Sequence, residues 1–225
     1  KAIELGTKSV LAGGKATLNL ALFRNTITDL QQAVFTAQGS AASNIRNVGK
    51  ATTQGLEVEF SARPTENLRL QANCGYLDAR FNTLMELGVN VADNRAVVHS
   101  PRHTFNLMAD QRLGRVAYGT WRLVADYSFT GAHYLYPYQI VQTDATQAVA
   151  GNTRVRSAGL LNLRLALGEL KLGKDTTGEA ALWVRNATDK QHIANMIDFG
   201  PGFGNLTQAY YADPRTIGLS FSARW

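Results

Sequence analysis

One cysteine in 225 residues, five prolines, 18 % charged side chains and no long hydrophobic run set the first limits on this chain. A lone Cys74 excludes a disulfide scaffold. No segment comes near the ~18 apolar, uncharged residues in a row that a membrane-crossing helix requires. Helical spacing at i, i+3 and i+4 is nearly absent. Lys and Arg outnumber Asp and Glu by 23 to 17, for a formal net charge of +6. Nowhere do four basic residues run together, and there is no aromatic-rich RNP-like motif, so nucleic acid is not an expected partner. An apolar fraction of 45 % excludes a disordered chain and suffices for a sizeable core. The chain opens on Lys1-Ala2-Ile3-Glu4 without Met or a signal peptide and reads as the middle of a longer protein. The missing signal therefore carries no information about compartment.

What the sequence does have is alternation with period two. Ile217, Leu219, Phe221, Ala223 and Trp225 fall on one face of the last segment, opposite Thr216, Gly218, Ser220, Ser222 and Arg224. Leu161, Leu163, Leu165 and Leu167 oppose Asn162 and Arg164. Trp121, Leu123, Ala125, Tyr127 and Phe129 oppose Arg122, Asp126 and Ser128, and Leu56, Val58 and Phe60 oppose Glu57 and Glu59. The pattern predicts about nine strands, over 2–11, 15–32, 50–63, 67–82, 101–113, 117–131, 154–168, 178–188 and 212–225. Several are twice the ~5–6 residues usual in soluble sheets, a length suited to crossing a bilayer at a tilt.

The connections carry a second period. Gly13-Gly14, Pro64-Thr65-Glu66-Asn67, Gly114-Arg115-Val116 and the slightly longer 170–177 read as short turns. Between them lie long polar connections at 33–49, 83–100, 132–153 and 189–211. Strict alternation of short and long is the signature of an up-and-down outer-membrane barrel, with tight periplasmic turns and long extracellular loops. An arginine on the lipid face at mid-bilayer costs ~2–4 kcal/mol, so the polar face is expected to line the lumen, placing Arg122, Asp126, Arg164 and Arg185 inside. Tyr76, Trp121, Tyr127, Phe129 and Trp225 suit the interfacial girdles. Nine strands cannot close such a barrel, because single-chain bacterial barrels have even strand numbers.

Catalytic signatures are missing: there is no Gly-x-Ser-x-Gly and no His-Glu-x-x-His. Cys74 shares the apolar face with Leu70, Ala72 and Tyr76 and reads as a small hydrophobe. His99 and His103 lack a third metal ligand, and Gly200-Pro201-Gly202-Phe203-Gly204 lacks the Lys-Ser/Thr and helix of a phosphate cradle. No cofactor and no metal site are expected. The remaining candidate is His133-Tyr134-Leu135-Tyr136-Pro137-Tyr138-Gln139. His133, Tyr134, Tyr136 and Tyr138 on an outer loop would give rigid contact area for ligand capture. Met196, Phe199, Phe203, Tyr210 and Tyr211 form a weaker second set.

Several stretches, in order along the whole chain, resemble the C-terminal half of the barrel of TonB-dependent outer-membrane receptors. They are Ile3-Glu4-Leu5-Gly6-Thr7-Lys8; Leu22-Phe23-Arg24-Asn25 with Asp29-Leu30-Gln31; Asn47-Val48-Gly49 followed by Gln54-Gly55-Leu56-Glu57-Val58-Glu59; Gly75-Tyr76-Leu77-Asp78-Ala79-Arg80-Phe81; Pro101-Arg102-His103-Thr104; Val184-Arg185-Asn186-Ala187-Thr188-Asp189-Lys190; and Pro214-Arg215. Ile3 stands where the family has an aromatic, Ala187 where it has Leu, and Trp225 where it prefers Phe. The resemblance implies the last nine or so strands of a barrel of ~22, whose lumen is wide enough to need an N-terminal plug. It implies an importer of a scarce nutrient such as a ferric siderophore, cobalamin or an oligosaccharide, and not an enzyme. The implied partners are the TonB–ExbB–ExbD complex acting on the plug, the nutrient, outer-membrane lipid, and the assembly machinery that reads Phe221 and Trp225. The other readings are a smaller barrel serving as passive pore or membrane enzyme, and a soluble β-rich carbohydrate-binding module.

Overall fold

When one side of every segment is apolar and the other polar, pairing neighbours antiparallel keeps all apolar residues on one side of one continuous sheet. The computed structural model, which describes residues 1–35 and 43–225, has this arrangement. Strands β1 (Ala2–Leu11), β2 (Ala16–Phe35), β3 (Ser43–Thr65) and β4 (Leu68–Glu86) are followed by the short β5 (Val89–Asn90). Then come β6 (His103–Val116), β7 (Gly119–Thr130), the short β8 (His133–Tyr134) and β9 (Arg154–Val155), and β10 (Ala158–Lys171). The chain ends with β11 (Thr177–Arg185), β12 (Ile193–Asp198), β13 (Thr207–Tyr211) and β14 (Thr216–Arg224). Nine of them form one antiparallel sheet in the order β1-β2-β3-β4-β6-β7-β10-β11-β14, with β5 folded back on β4. The sheet is open, with β1 and β14 as its edges. The pairs β8–β9 and β12–β13 stand apart from it, in the long connections.

Register aligns the apolar residues into level rows. Leu70, Ala109, Ala125, Leu163, Val184 and Ile217 make one. Nearer the long connections, Leu22, Leu56, Tyr76 and His103 make another. One step beyond, the same face turns polar together at Arg24, Gln54 and Asp78. At the other end the apolar face of β14 continues to Trp225. Nine residues at ~3.3 Å each, tilted by ~40°, span about 20 Å, close to the ~25 Å apolar band of outer-membrane barrels. This face is open: Ile217 is 64 % exposed, Leu219 82 % and Phe221 65 %. A soluble sandwich buries that side against a second sheet, and none is present among the described residues.

Three pairs show how adjacent strands lock together. A Cβ on Gly55 would fall 2.9 Å from the ring of Phe23, one on Gly159 2.0 Å from the Tyr127 hydroxyl, and one on Gly218 2.2 Å from the indole of Trp183. In each case an aromatic side chain lies over a glycine of the neighbouring strand, where any larger residue would collide with it.

The boundaries correct the sequence reading in two places. The connection expected over 33–49 is mostly strand, since β2 runs to Phe35 and β3 resumes at Ser43, while residues 36–42 lie outside those described. The turn expected at Gly114-Arg115-Val116 falls instead at Ala117-Tyr118. Gly114 sits in β6 at a register shift against β7, so its role is in a bulge rather than a turn.

Candidate functional site

The polar face of the sheet holds a row of engaged charges. Arg122 donates from Nε to Asp110 Oδ1 at 2.6 Å and from Nη2 to Asp110 Oδ2. Asp126 accepts from Asn162 Nδ2 at 2.8 Å, and Arg164 donates to Glu179. The Arg185 guanidinium lies 5.2 Å from the centroid of the Trp183 ring, a cation–π contact. All four residues singled out in the sequence are thus on one face, and each is engaged by a neighbour other than the remaining three. Bidentate geometry and shared acceptors hold these side chains in place at little cost in freedom.

The network continues into the last long connection. Asn162 Oδ1 accepts from the Asn186 amide at 2.9 Å. Asn186, buried and with φ 49°, accepts from the Lys190 amide at 2.8 Å. It also donates to the carbonyls of Lys190 and Asp213. Asp189 accepts from the Arg215 amide at 3.1 Å. The Asn-Ala-Thr-Asp-Lys stretch and Pro214-Arg215, seen in the sequence as separate motifs, are therefore the two ends of one clasp at the base of this connection. Asn tolerates the left-handed backbone and supplies both donor and acceptor, which is why Asn suits position 186.

Beyond the membrane band the long connections fold onto one another. Arg95 is 7 % exposed; it donates twice to Glu86, at 2.9 and 2.5 Å, and once to Gln147 Oε1 at 2.9 Å. Gln139, 1 % exposed, donates to the carbonyls of Asp144 and Gln147 and accepts from the Thr143 amide and hydroxyl. Backbone bonds Ala96 N to Tyr138 O, His99 N to Tyr134 O and Ile140 N to Asn94 O tie connection 87–102 to connection 131–157. Leu135, Val155 and Met196 form a small core with Tyr136, Ile193 and Ala209 around it, bringing in the β12–β13 hairpin. Met196 is buried in that core, which corrects its place among the candidate ligand contacts. Arg95 gives no local sequence signal because its Gln147 partner lies fifty-two residues away, whereas Gln139 organises its own loop through partners four to eight residues on.

The four aromatic candidates divide. His133 and Tyr134 form β8 and help line a cavity of about 420 Å³ with Arg80, Asp93, Arg95 and Arg102. Tyr136 and Tyr138 stack, with centroids 5.1 Å apart and planes 16° off parallel, and the Tyr136 hydroxyl donates to the Met196 carbonyl at 3.4 Å. Burial, with Asp198 and Tyr136 nearby, pushes the Tyr138 phenol up to about 12. His99 stands with His133, centroids 6.3 Å apart, while His103 stands against Tyr76 at 5.4 Å. Gly200 and Gly204, with φ of 72° and 68°, bracket the one-turn Pro201–Phe203 helix of the tip. Cys74, Phe221 and Trp225 are exposed, and by register Cys74 and Phe221 lie on the apolar face. Among the described residues no group of three or more His, Cys, Asp or Glu side chains gathers as a metal site.

A family model described as TonB dependent receptor-like, beta-barrel, matches residues 1–187. The metal-pseudopaline receptor CntO of Pseudomonas aeruginosa is 30 % identical over 105 residues, 47 % of this chain and 14 % of CntO. Among solved structures, the ferric yersiniabactin uptake receptor FyuA of Yersinia pestis superimposes with a TM-score of 0.71 at 19 % identity, over 98 % of this chain and 29 % of FyuA. The ferric preacinetobactin receptor BauA of Acinetobacter baumannii gives 0.67 at 22 % identity, over 99 % of this chain and 29 % of BauA. The chain thus spans under a third of the length of each of these proteins.

Proposed function

Because the chain belongs to the TonB-dependent receptor β-barrel family, we propose that it is the C-terminal part of a TonB-energised importer of a chelated metal, of the ferric-siderophore type. The family is one of outer-membrane receptors for siderophore and metal uptake, and the all-β, up-and-down sheet is an open portion of such a membrane barrel. The remaining strands and an N-terminal plug would complete it. Arg122, Asp126, Arg164 and Arg185 would then line the lumen and meet the plug, which the TonB–ExbB–ExbD complex remodels. The chain's own residues would bind and release a small ligand without catalysing a reaction.

The observation that carries this reading is the folding of three long connections into one aromatic-rich unit at one end of the sheet. Separate loops would have to be ordered on ligand arrival, and each ordered residue costs ~1–2 kcal/mol. Loops already joined through Arg95, Gln139 and the Leu135–Met196 core present a prepared surface. The capture surface is assigned to His133 and Tyr134 at the cavity and to the Tyr136–Tyr138 stack.

The test is radio-iron uptake by cells expressing the full-length receptor, with ferric hydroxamate, ferric catecholate and ferric citrate offered in turn. The expected result is TonB-dependent uptake of one of them, reduced at least tenfold by Tyr134→Ala with Tyr138→Ala at unchanged receptor abundance. No TonB-dependent uptake of any chelate would refute the transport assignment. Uptake undiminished in the double variant would refute only the aromatic site.

A further inference from the structure

We propose that Asp198, at the end of β12, and the Tyr136–Tyr138 stack form a subsite for a primary ammonium group carried by the ligand. The inference rests on the capture surface proposed above and deepens it, giving that surface a charge to match as well as a shape.

Among the described residues, Asp198 Oδ2 is the single buried side-chain oxygen or nitrogen without a hydrogen-bond partner. Native folds leave few such atoms, because a buried oxygen that accepts nothing keeps the full cost of its lost hydration. The other oxygen of this carboxylate is engaged: Thr207 Oγ1 donates to Oδ1 at 2.8 Å, across the β12–β13 pair. Asp198 also takes part in no ion pair among the described residues. The carboxylate is thus half satisfied and lacks a counter-charge, a costly state inside a protein.

Its neighbours are aromatic. The Tyr136 hydroxyl donates to the carbonyl of Met196, two residues before Asp198 on β12, and so ties the tyrosine pair to this strand. Asp198 is also near enough to Tyr138 for its charge to help push the phenol up. Both stacked rings are only partly buried, within reach of a ligand, and their electron-rich faces attract a cation. Two features favour an ammonium over other cations. Asp198 offers one free oxygen, whereas a guanidinium fork is suited to two. A metal ion needs several ligands, and no group of three or more His, Cys, Asp or Glu side chains gathers among the described residues. An ammonium can donate to the one oxygen and rest against the rings. Entry requires the hairpin tip beyond Asp198 to give way. Phe199 and Phe203 of that tip are exposed, so these rings are not locked into the loop core.

The experiment is saturation-transfer NMR of the full-length receptor in uncharged detergent, at neutral pH, with n-butylammonium and with n-butanol as its uncharged counterpart. Four variants accompany the wild type. Asp198→Asn keeps an acceptor for Thr207 and removes the charge, Tyr138→Leu removes a ring, and Tyr138→Phe keeps the ring. Asp175→Asn removes an exposed carboxylate from the turn between β10 and β11. Heat-modifiable migration on gels confirms that each is folded. The proposal expects saturable binding of n-butylammonium, and none of n-butanol, in wild type, Tyr138→Phe and Asp175→Asn. Affinity should fall at least tenfold in Asp198→Asn and in Tyr138→Leu. Undiminished binding in either of those two would overturn the proposal, as would no saturable binding in wild type. Equal binding of n-butanol, or a loss in Asp175→Asn as large as in Asp198→Asn, would also overturn it. Iron uptake read in parallel keeps the two proposals apart: uptake without ammonium binding refutes the subsite alone, and ammonium binding without uptake of any chelate refutes the transport assignment alone.

Discussion

Replacing Leu163 with arginine puts the assignment of the two faces at risk in one step. Leu163 is flanked by Ala125 on β7 and Val184 on β11, in the middle of the outward run Leu161 to Leu167. Gly159, near the outer end of that face, is four residues away, about 13 Å along the strand, so the guanidinium would have to bend far to reach water. A mid-bilayer arginine on a lipid face costs ~2–4 kcal/mol, which is about a 30- to 900-fold loss in the folding equilibrium. Val124 lies at the same height but on the opposite face, in register with Asp110 and Arg164. Val124→Arg gains a carboxylate neighbour and a like-charged one in a wet environment, and should stay within about 1 kcal/mol of wild type. The assay is urea-driven unfolding and refolding of the full-length receptor in phosphatidylcholine vesicles, followed by the gel shift of the folded barrel. Equal losses in both variants, or a greater loss for Val124→Arg, would show that Leu163 does not face lipid.

Arg95→Met should leave the barrel intact but free connection 132–153. Glu86 and Gln147 lose a shared, mostly buried donor, worth about 1–3 kcal/mol, so hydrogen exchange at 139–147 should rise while β3 and β7 stay protected; unchanged exchange there would dismiss the anchor. The same contacts imply that removing 132–153 outright would also unseat connection 87–102, so point variants are the sharper probe of binding. Tyr138 holds its proton more tightly in the folded loops than in the unfolded chain, so its contribution to loop stability is complete below pH 10 and is lost as pH rises from 10 to about 12. Near-ultraviolet circular dichroism should show that loss in wild type, and Tyr138→Phe should flatten it. Trp225→Ala should slow membrane insertion in pulse-labelling while leaving the ligand affinity of assembled receptor unchanged; equal insertion rates would remove the targeting role.

Most of the sheet was legible because lipid imposes a strict rule on alternate residues. Leu161 to Leu167 and Ile217 to Trp225 show it without any knowledge of their partners. The rule lapses where the membrane ends. Above Arg24 and Gln54 the backbone goes on pairing to Phe35 and Ser43, but shifts of register on either side of Leu30 break the two-residue rhythm by which a strand is read. Gly114 misled because glycine serves bulges as well as turns, while the actual turn, Ala117-Tyr118, carries no turn residue. The site was legible only in composition. Four aromatic residues could be named, but their division into cavity wall and stacked pair depends on Arg95 and Met196, whose partners Gln147 and Tyr136 are remote in sequence. Asn186 is the exception, a polar residue whose run into Asp189 was visible as a motif and whose work proved to be closing the loop base.

The glycine–aromatic pairs bear on how such a sheet avoids error while it is being made. A strand sliding by one residue against its neighbour gains nearly the same number of backbone bonds, so hydrogen bonding is a poor judge of alignment. Phe23, Tyr127 and Trp183 each act as a gauge: the aromatic side chain keeps its place only if a residue without a Cβ passes beside it. Shifted by one, Trp183 would meet Ile217 or Leu219 in place of Gly218. Three such gauges, on β2–β3, β7–β10 and β11–β14, divide the sheet so that a mistake in one seam is rejected locally, before the next strand is laid against it.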